Sequence, residues 1–172
     1  MVDRLTSEWG TIGELAARVG GYCWVENYLF EVTGAWAGAA ESDSPWDAEF
    51  RVFFAASSMQ HADLAARWSD RLPVRAGIDR DALVLPPAGA LTSHLHALDA
   101  GTGFEKLLGL VRGYLPHLVR GYSHHLAVAN PASDAPVMTV LGEARRTGSD
   151  EVGRGQALFD EGVRRGWFGH RG

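Results

Sequence analysis

Seven positions between Leu15 and Trp36 recur at alternating intervals of four and three residues: Leu15, Val19, Tyr22, Glu26, Leu29, Thr33 and Trp36. Residues spaced in this way share one stripe of an α-helix, because about 3.6 residues complete a turn. A stripe of this length has to be covered by other helices, which restricts the chain to helix-on-helix packing. The pattern then repeats. After the turn-forming stretch ESDSP (41–45), with Ser44 placed as an N-cap and Pro45 in the first turn, a second stripe carries Phe50, Phe54, Ser57, His61, Leu64 and Trp68. A third run starts near Gly103 and aligns Phe104, Leu108, Val111, Leu115, Leu118, Tyr122 and His125 until Asn130 and Pro131 stop it, with Pro116 expected to kink it. A fourth, from about Asp134 to Arg165, aligns Val137, Leu141, Ala144, Gly148, Glu151, Gly155, Leu158 and Gly162. Its small residues predict close helix approach. The tail GWFGHRG offers two aromatics that could fold back onto the helices.

Between the second and third runs, Pro73, Gly77, Pro86, Pro87 and Gly89 forbid a continuous helix, although GALTSHLHALDA is compatible with a short one. The predicted chain is therefore all-α: helices at about 8–40, 46–70, 102–129 and 134–165 in one domain spanning 1–172. Short, long and short connections make two antiparallel pairs joined by a lengthwise crossover, an up-down four-helix bundle.

At 172 residues and 46% hydrophobic, the chain can bury one sizeable core. A net charge of -5 without a basic stripe argues against nucleic acid. The charged N-terminus MVDRLTSEWGTIGEL and the lack of a long apolar run argue against a secretory signal or membrane span, so the expected location is the cytoplasm. A single cysteine, Cys23, excludes an internal disulfide and reads as a small buried hydrophobe.

Two polar residues stand inside the apolar stripes. Counted from the turn near residues 40–46, Glu26 and His61 lie at the same depth, about 21 to 23 Å down at 1.5 Å per residue. The same level on helix three falls near residues 116–117 and on helix four near 147–151, where Tyr114, His117, Thr147 and Glu151 stand. A buried carboxylate needs a partner, and His61 is the expected one for Glu26. The candidate metal set is Glu26, His61 and Glu151 completed by His117 or water, and the candidate pocket residues are Ser57, Ser58, Tyr114 and Thr147. His124 reads as solvated, His125 as a satisfied core histidine, and His94-x-His96 as a chelating pair only on an extended backbone. Nucleotide-binding glycine loops and the Gly-x-Ser-x-Gly elbow are absent from the sequence.

With Glu26 on helix one and His61 on helix two, the chain resembles the ferritin-like superfamily. Its di-iron members place a Glu on one helix and Glu-x-x-His on the next, then repeat the scheme. Ser58 stands where the Glu of the second-helix motif would be, helix three offers Tyr114 or His117, and helix four has Thr147, Asp150, Glu151 and Arg154 in place of Glu-x-x-His. The resemblance implies a bundle protein without a complete di-iron site, binding a small ligand or a partner around Glu26 and His61. The alternatives are a non-haem oxidoreductase or hydroxylase using a reduced Glu/His set, with iron, manganese or zinc, and a metal-dependent transferase resembling the DinB-like bundles, with His61 and His117 among its histidines. An apolar helix face left over for a partner would make the protein a homodimer.

Overall fold

A computed structural model describes residues 12–39, 47–74, 79–87 and 91–166. The proposed caps Ser44 and Pro45 and the aromatics of the C-terminal tail, Trp167 and Phe168, lie outside those residues. Within them the regular structure is helical, without a strand. Helix α1 spans Ile12–Gly38 and α2 spans Asp47–Ser69. A short 3-10 turn, Asp81–Leu83, and helix α3, Leu91–Leu98, interrupt the connection. Helices α4 (Gly103–Leu108) and α5 (Leu115–Val128) are joined without a break by a π-helical stretch, Gly109–Tyr114, and α6 spans Ala135–Arg164. No described helix is long and apolar enough to cross a membrane.

Local chemistry explains the third rod. Thr102 and Glu105 form a reciprocal capping box at its start. Pro116 lacks an N–H and its ring crowds the carbonyl one turn earlier, so the helix widens ahead of it: the Leu115 N–H reaches back to the Leu110 carbonyl, a π register. The expected kink is thus taken up as a wider turn inside a continuous rod.

Side-chain contacts fix the directions of the helices. Between α1 and α2, Arg51 donates to the Ala37 carbonyl, Ser58 to the Phe30 carbonyl and Cys23 to the Ala65 carbonyl, so numbers rise on one helix as they fall on the other. The same opposition relates α6 to the third rod, where Gly155 faces Val111 and Gly148 faces Val119. It also relates α6 to α2, where Glu143 meets Arg67 and Arg154 meets Gln60. Helix α2 and the third rod accordingly run the same way, and the segment between them traverses their length. Part of it lies against α1 at Gly20, where an added Cβ would stand 1.9 Å from the Leu83 carbonyl oxygen, so only glycine admits this approach.

The stripes read from the sequence face inward. On α2, Phe50, Phe54, Ser57, His61, Leu64 and Trp68 are all buried. On α6, Val137, Leu141, Ala144, Gly148, Glu151, Gly155 and Gly162 are buried and Leu158 is half-buried. The core divides into two apolar clusters. One gathers Leu29, Trp36, Phe54, Leu107, Leu110 and Leu115, and the other Val19, Leu64, Trp68, Tyr122, Val140 and Leu141. A polar layer made by Glu26, His61 and Glu151 lies between them in sequence register on every helix that contributes.

Candidate functional site: a buried carboxylate–imidazole–carboxylate layer

Helix α1 delivers Glu26, α2 delivers His61 and Ser57, the third rod delivers Tyr122, and α6 delivers Glu151. Glu26 and Glu151 have no solvent exposure and His61 retains 2%. The His61 Nδ1–H donates to Glu26 Oε2 at 2.5 Å, and the Tyr122 hydroxyl donates to Glu26 Oε1. On the other side of the imidazole, Nε2 lies 3.4 Å from Glu151 Oε2, and the Ser57 hydroxyl donates to Glu151 Oε1. Both oxygens of Glu26 therefore have donors. His61 Nε2 and Glu151 Oε2 are close but not aligned for a hydrogen bond, and neither has another partner among the described residues.

Electrostatics fix the charge state. Burial alone pushes the His61 imidazole towards neutrality, but the Glu26 and Glu151 carboxylates on its two nitrogens outweigh that and push its pKa up to about 10. At neutral pH it is an imidazolium. Glu151 shows the converse: burial works against its charge, yet the charged His61 and the Ser57 hydroxyl hold it below the usual carboxylate value. The Tyr122 phenol is driven well above its ordinary pKa by burial and by the adjacent Glu26, so it stays a proton donor. The layer holds its proton on His61, with hydroxyl groups covering the outer carboxylate oxygens.

The structure brings Glu26, His61 and Glu151 together and adds Ser57. Tyr114 is buried on the π-helical stretch and its hydroxyl has no partner among the described residues; burial and then Glu26 raise its pKa. Ser58 is buried but turns to the Phe30 carbonyl at 2.9 Å, and Thr147 is half-buried. His117 is a correction: it is exposed on α5, off the buried face that carries Leu115, Tyr122 and His125, and cannot complete a ligand set in the core. His94 and His96 lie on α3, the short helix expected there, where residues two apart point to different sides and the extended backbone that chelation would need is not present. Sequence reasoning missed Tyr122. It stood on the stripe as an apolar residue, and its hydroxyl was the available signal.

The residues present do not fit a di-iron centre. Tyr122 meets Glu26 from the third rod and Ser58 lies three residues before His61, so neither position brings a further carboxylate, and His61 lies between Glu26 and Glu151, on opposite ring nitrogens, so the three cannot converge on one ion. Among the described residues no group of three or more His, Cys, Asp or Glu side chains is arranged to hold a metal. In comparisons with known proteins, no family model, no curated protein and no solved structure matches the chain.

Proposed function

We propose that this protein is a ferritin-like four-helix bundle in which the place of a metal centre is taken by a proton, held on His61 between Glu26 and Glu151, and that it acts as a binding module rather than a redox enzyme. The antiparallel helix pairs and the lengthwise connection support the bundle assignment. The observation that carries the functional part is the occupancy of Glu26: one oxygen accepts from His61 and the other from Tyr122, so both are engaged by donors within the layer. The buried polar atoms left without a partner among the described residues include His61 Nε2–H, Glu151 Oε2 and the Tyr114 hydroxyl. These suit a small polar guest that can accept from the imidazolium and donate to the carboxylate.

One observation favours a second reading, a mononuclear metal site. His61 Nε2 and Glu151 Oε2 are 3.4 Å apart, and a cation about 2.0–2.2 Å from each would subtend a near-tetrahedral angle. Glu26 would then orient the imidazole through Nδ1, as carboxylates do behind metal-bound histidines. A divalent ion there would supply Lewis acidity and open coordination positions.

Elemental analysis of the purified protein, before and after aerobic loading with iron, manganese and zinc, separates the two. The binding-module reading expects no stoichiometric metal in wild type. About one equivalent of metal in wild type, lost in Glu151→Gln, overturns it in favour of the mononuclear site. A three-histidine transferase site has no support, because His117 is exposed.

A further inference from the structure

The outward face of α2 carries a second apolar seam that the core does not use. Val52, Ala55, Met59, Ala62, Ala66 and Ser69 follow a 3,4,3,4,3 spacing, the alternation of a two-helix interface. Val52 is 70% exposed and Met59 75%, and Phe30 of α1, which lines a groove with Ala62 and Ala66, is 43% exposed. The two halves of the seam differ in shape. Towards its start, Val52 and Met59 project. Towards its end, the small residues Ala62, Ala66 and Ser69 floor a groove of about 540 Å3, walled by Asn27 and Phe30 and rimmed by Asp81.

Projections and a hollow on one face are complementary to themselves once the face is turned by a two-fold axis. We propose that this face is a homodimer interface, in which α2 packs antiparallel on α2 of a second copy around a dyad near residues 60 and 61. That register sets Met59 against the partner's Ala62, Ala55 against the partner's Ala66, and Val52 against the partner's Ser69. Each layer sets a larger side chain on a smaller one or two small ones together, as knobs into holes require.

Charge selects the second copy as the occupant. Arg51, exposed at the projecting end, donates only to the Ala37 carbonyl at 2.9 Å, and neither it nor Asp81 has an ion pair among the described residues. Both lie on the α1 side of the seam, one at each end. The dyad brings Arg51 to the level of the partner's residue 70, beside the groove mouth that the partner's Asp81 rims, and symmetry makes that contact twice. The inference is independent of how the Glu26–His61–Glu151 layer is read.

The test is sedimentation of the full chain over a dilution series. Wild type is expected to be a dimer. Met59→Glu is expected to weaken it about 30-fold or more, the scale of a central interface residue. Arg51→Glu and Asp81→Arg are each expected to weaken it about fivefold, and the double variant to restore most of the loss. All these positions are solvent-facing, and unchanged melting curves will show that the variants fold. A wild type that stays monomeric throughout overturns the proposal. So does a dimer that Met59→Glu leaves intact, or a charge swap without recovery, because each would place the contact elsewhere.

Discussion

His61 and His125 are buried almost equally, at 2% and 3% exposure, yet they hold opposite charge states. His61 lies between two carboxylates that raise its pKa to about 10, whereas His125 packs beside Tyr22, shares a hydrogen bond with its hydroxyl at 3.2 Å, and has its pKa lowered to about 4, first by burial and then by Arg18. Solvent exposure is nearly the same, so exposure alone does not set protonation. The groups on the ring nitrogens do. The region around His61 is a charged layer whose members depend on one another, and the region around His125 is an aromatic cluster of Tyr22, Trp68 and Tyr122 with one neutral imidazole at its edge.

The sharpest way to break this contrast is to remove the shared cation. His61→Ala leaves two buried carboxylates without a countercharge and is expected to cost about 3–5 kcal/mol, read from urea unfolding. Replacing Glu26, His61 and Glu151 together with apolar residues of similar volume is expected to cost less than His61→Ala, since no buried charge is left unpaired and only the Ser57 and Tyr122 hydroxyls lose their acceptors. A triple variant as unstable as His61→Ala would show that the layer contributes something other than mutual compensation.

The two histidines also predict opposite slopes of stability with pH, on the order of a few kcal/mol across the range. The folded-state pKa of His61 is raised above 6.5, so its contribution is full below 6.5 and is lost as pH climbs to about 10. His125 is depressed from 6.5 to about 4, so its contribution is present above 6.5 and is lost as pH falls through about 4. Melting temperatures across this range are expected to decline at both ends. The triple variant, which lacks His61, should lose the alkaline decline and His125→Phe should flatten the acid one, although other carboxylates, Glu151 among them, also weaken the fold in acid.

A smaller effect is expected at Tyr122. Tyr122→Phe removes the donor to Glu26 Oε1 and should cost about 1.5–3 kcal/mol, as for a hydrogen bond to a charged group. The smallest belongs to His125→Phe at neutral pH. It deletes a neutral, partly satisfied imidazole against the Tyr22 ring and should fall within about 1 kcal/mol of wild type. If the two changes had equal effects, the distinction between charged layer and aromatic cluster would not hold.

Much of this was legible in the spacing of residues. A four-and-three alternation identified the buried faces because helix geometry leaves few other solutions, and it put Glu26, His61 and Glu151 on those faces. Counting depth from the helix ends brought Glu26 to the level of His61, which the antiparallel register of α1 and α2 bears out. The same count sets the third rod's level at 116–117, and the facing of Gly155 on Val111 and of Gly148 on Val119 brings residues 115–116 level with Glu151; Tyr122 meets Glu26 from further along the rod because its long side chain leans back towards the start of the helix. His117 failed on orientation, since its Cα–Cβ direction lies off the buried stripe whatever its level. The π register around Leu110 and Leu115 follows from Pro116, but a kink and a widened turn are equivalent solutions to one missing N–H, and sequence does not choose between them.

The central claim is that the proton that makes His61 an imidazolium, set between two carboxylates, holds the polar layer together. Nitrogen-15 NMR of the imidazole side chains measures it directly. Both His61 ring nitrogens should carry hydrogens at neutral pH and keep them until about pH 10, with Nδ1–H far downfield from its short bond to Glu26. A neutral His61 at pH 7, or a bare Nε2 that shifts on adding zinc, would contradict it.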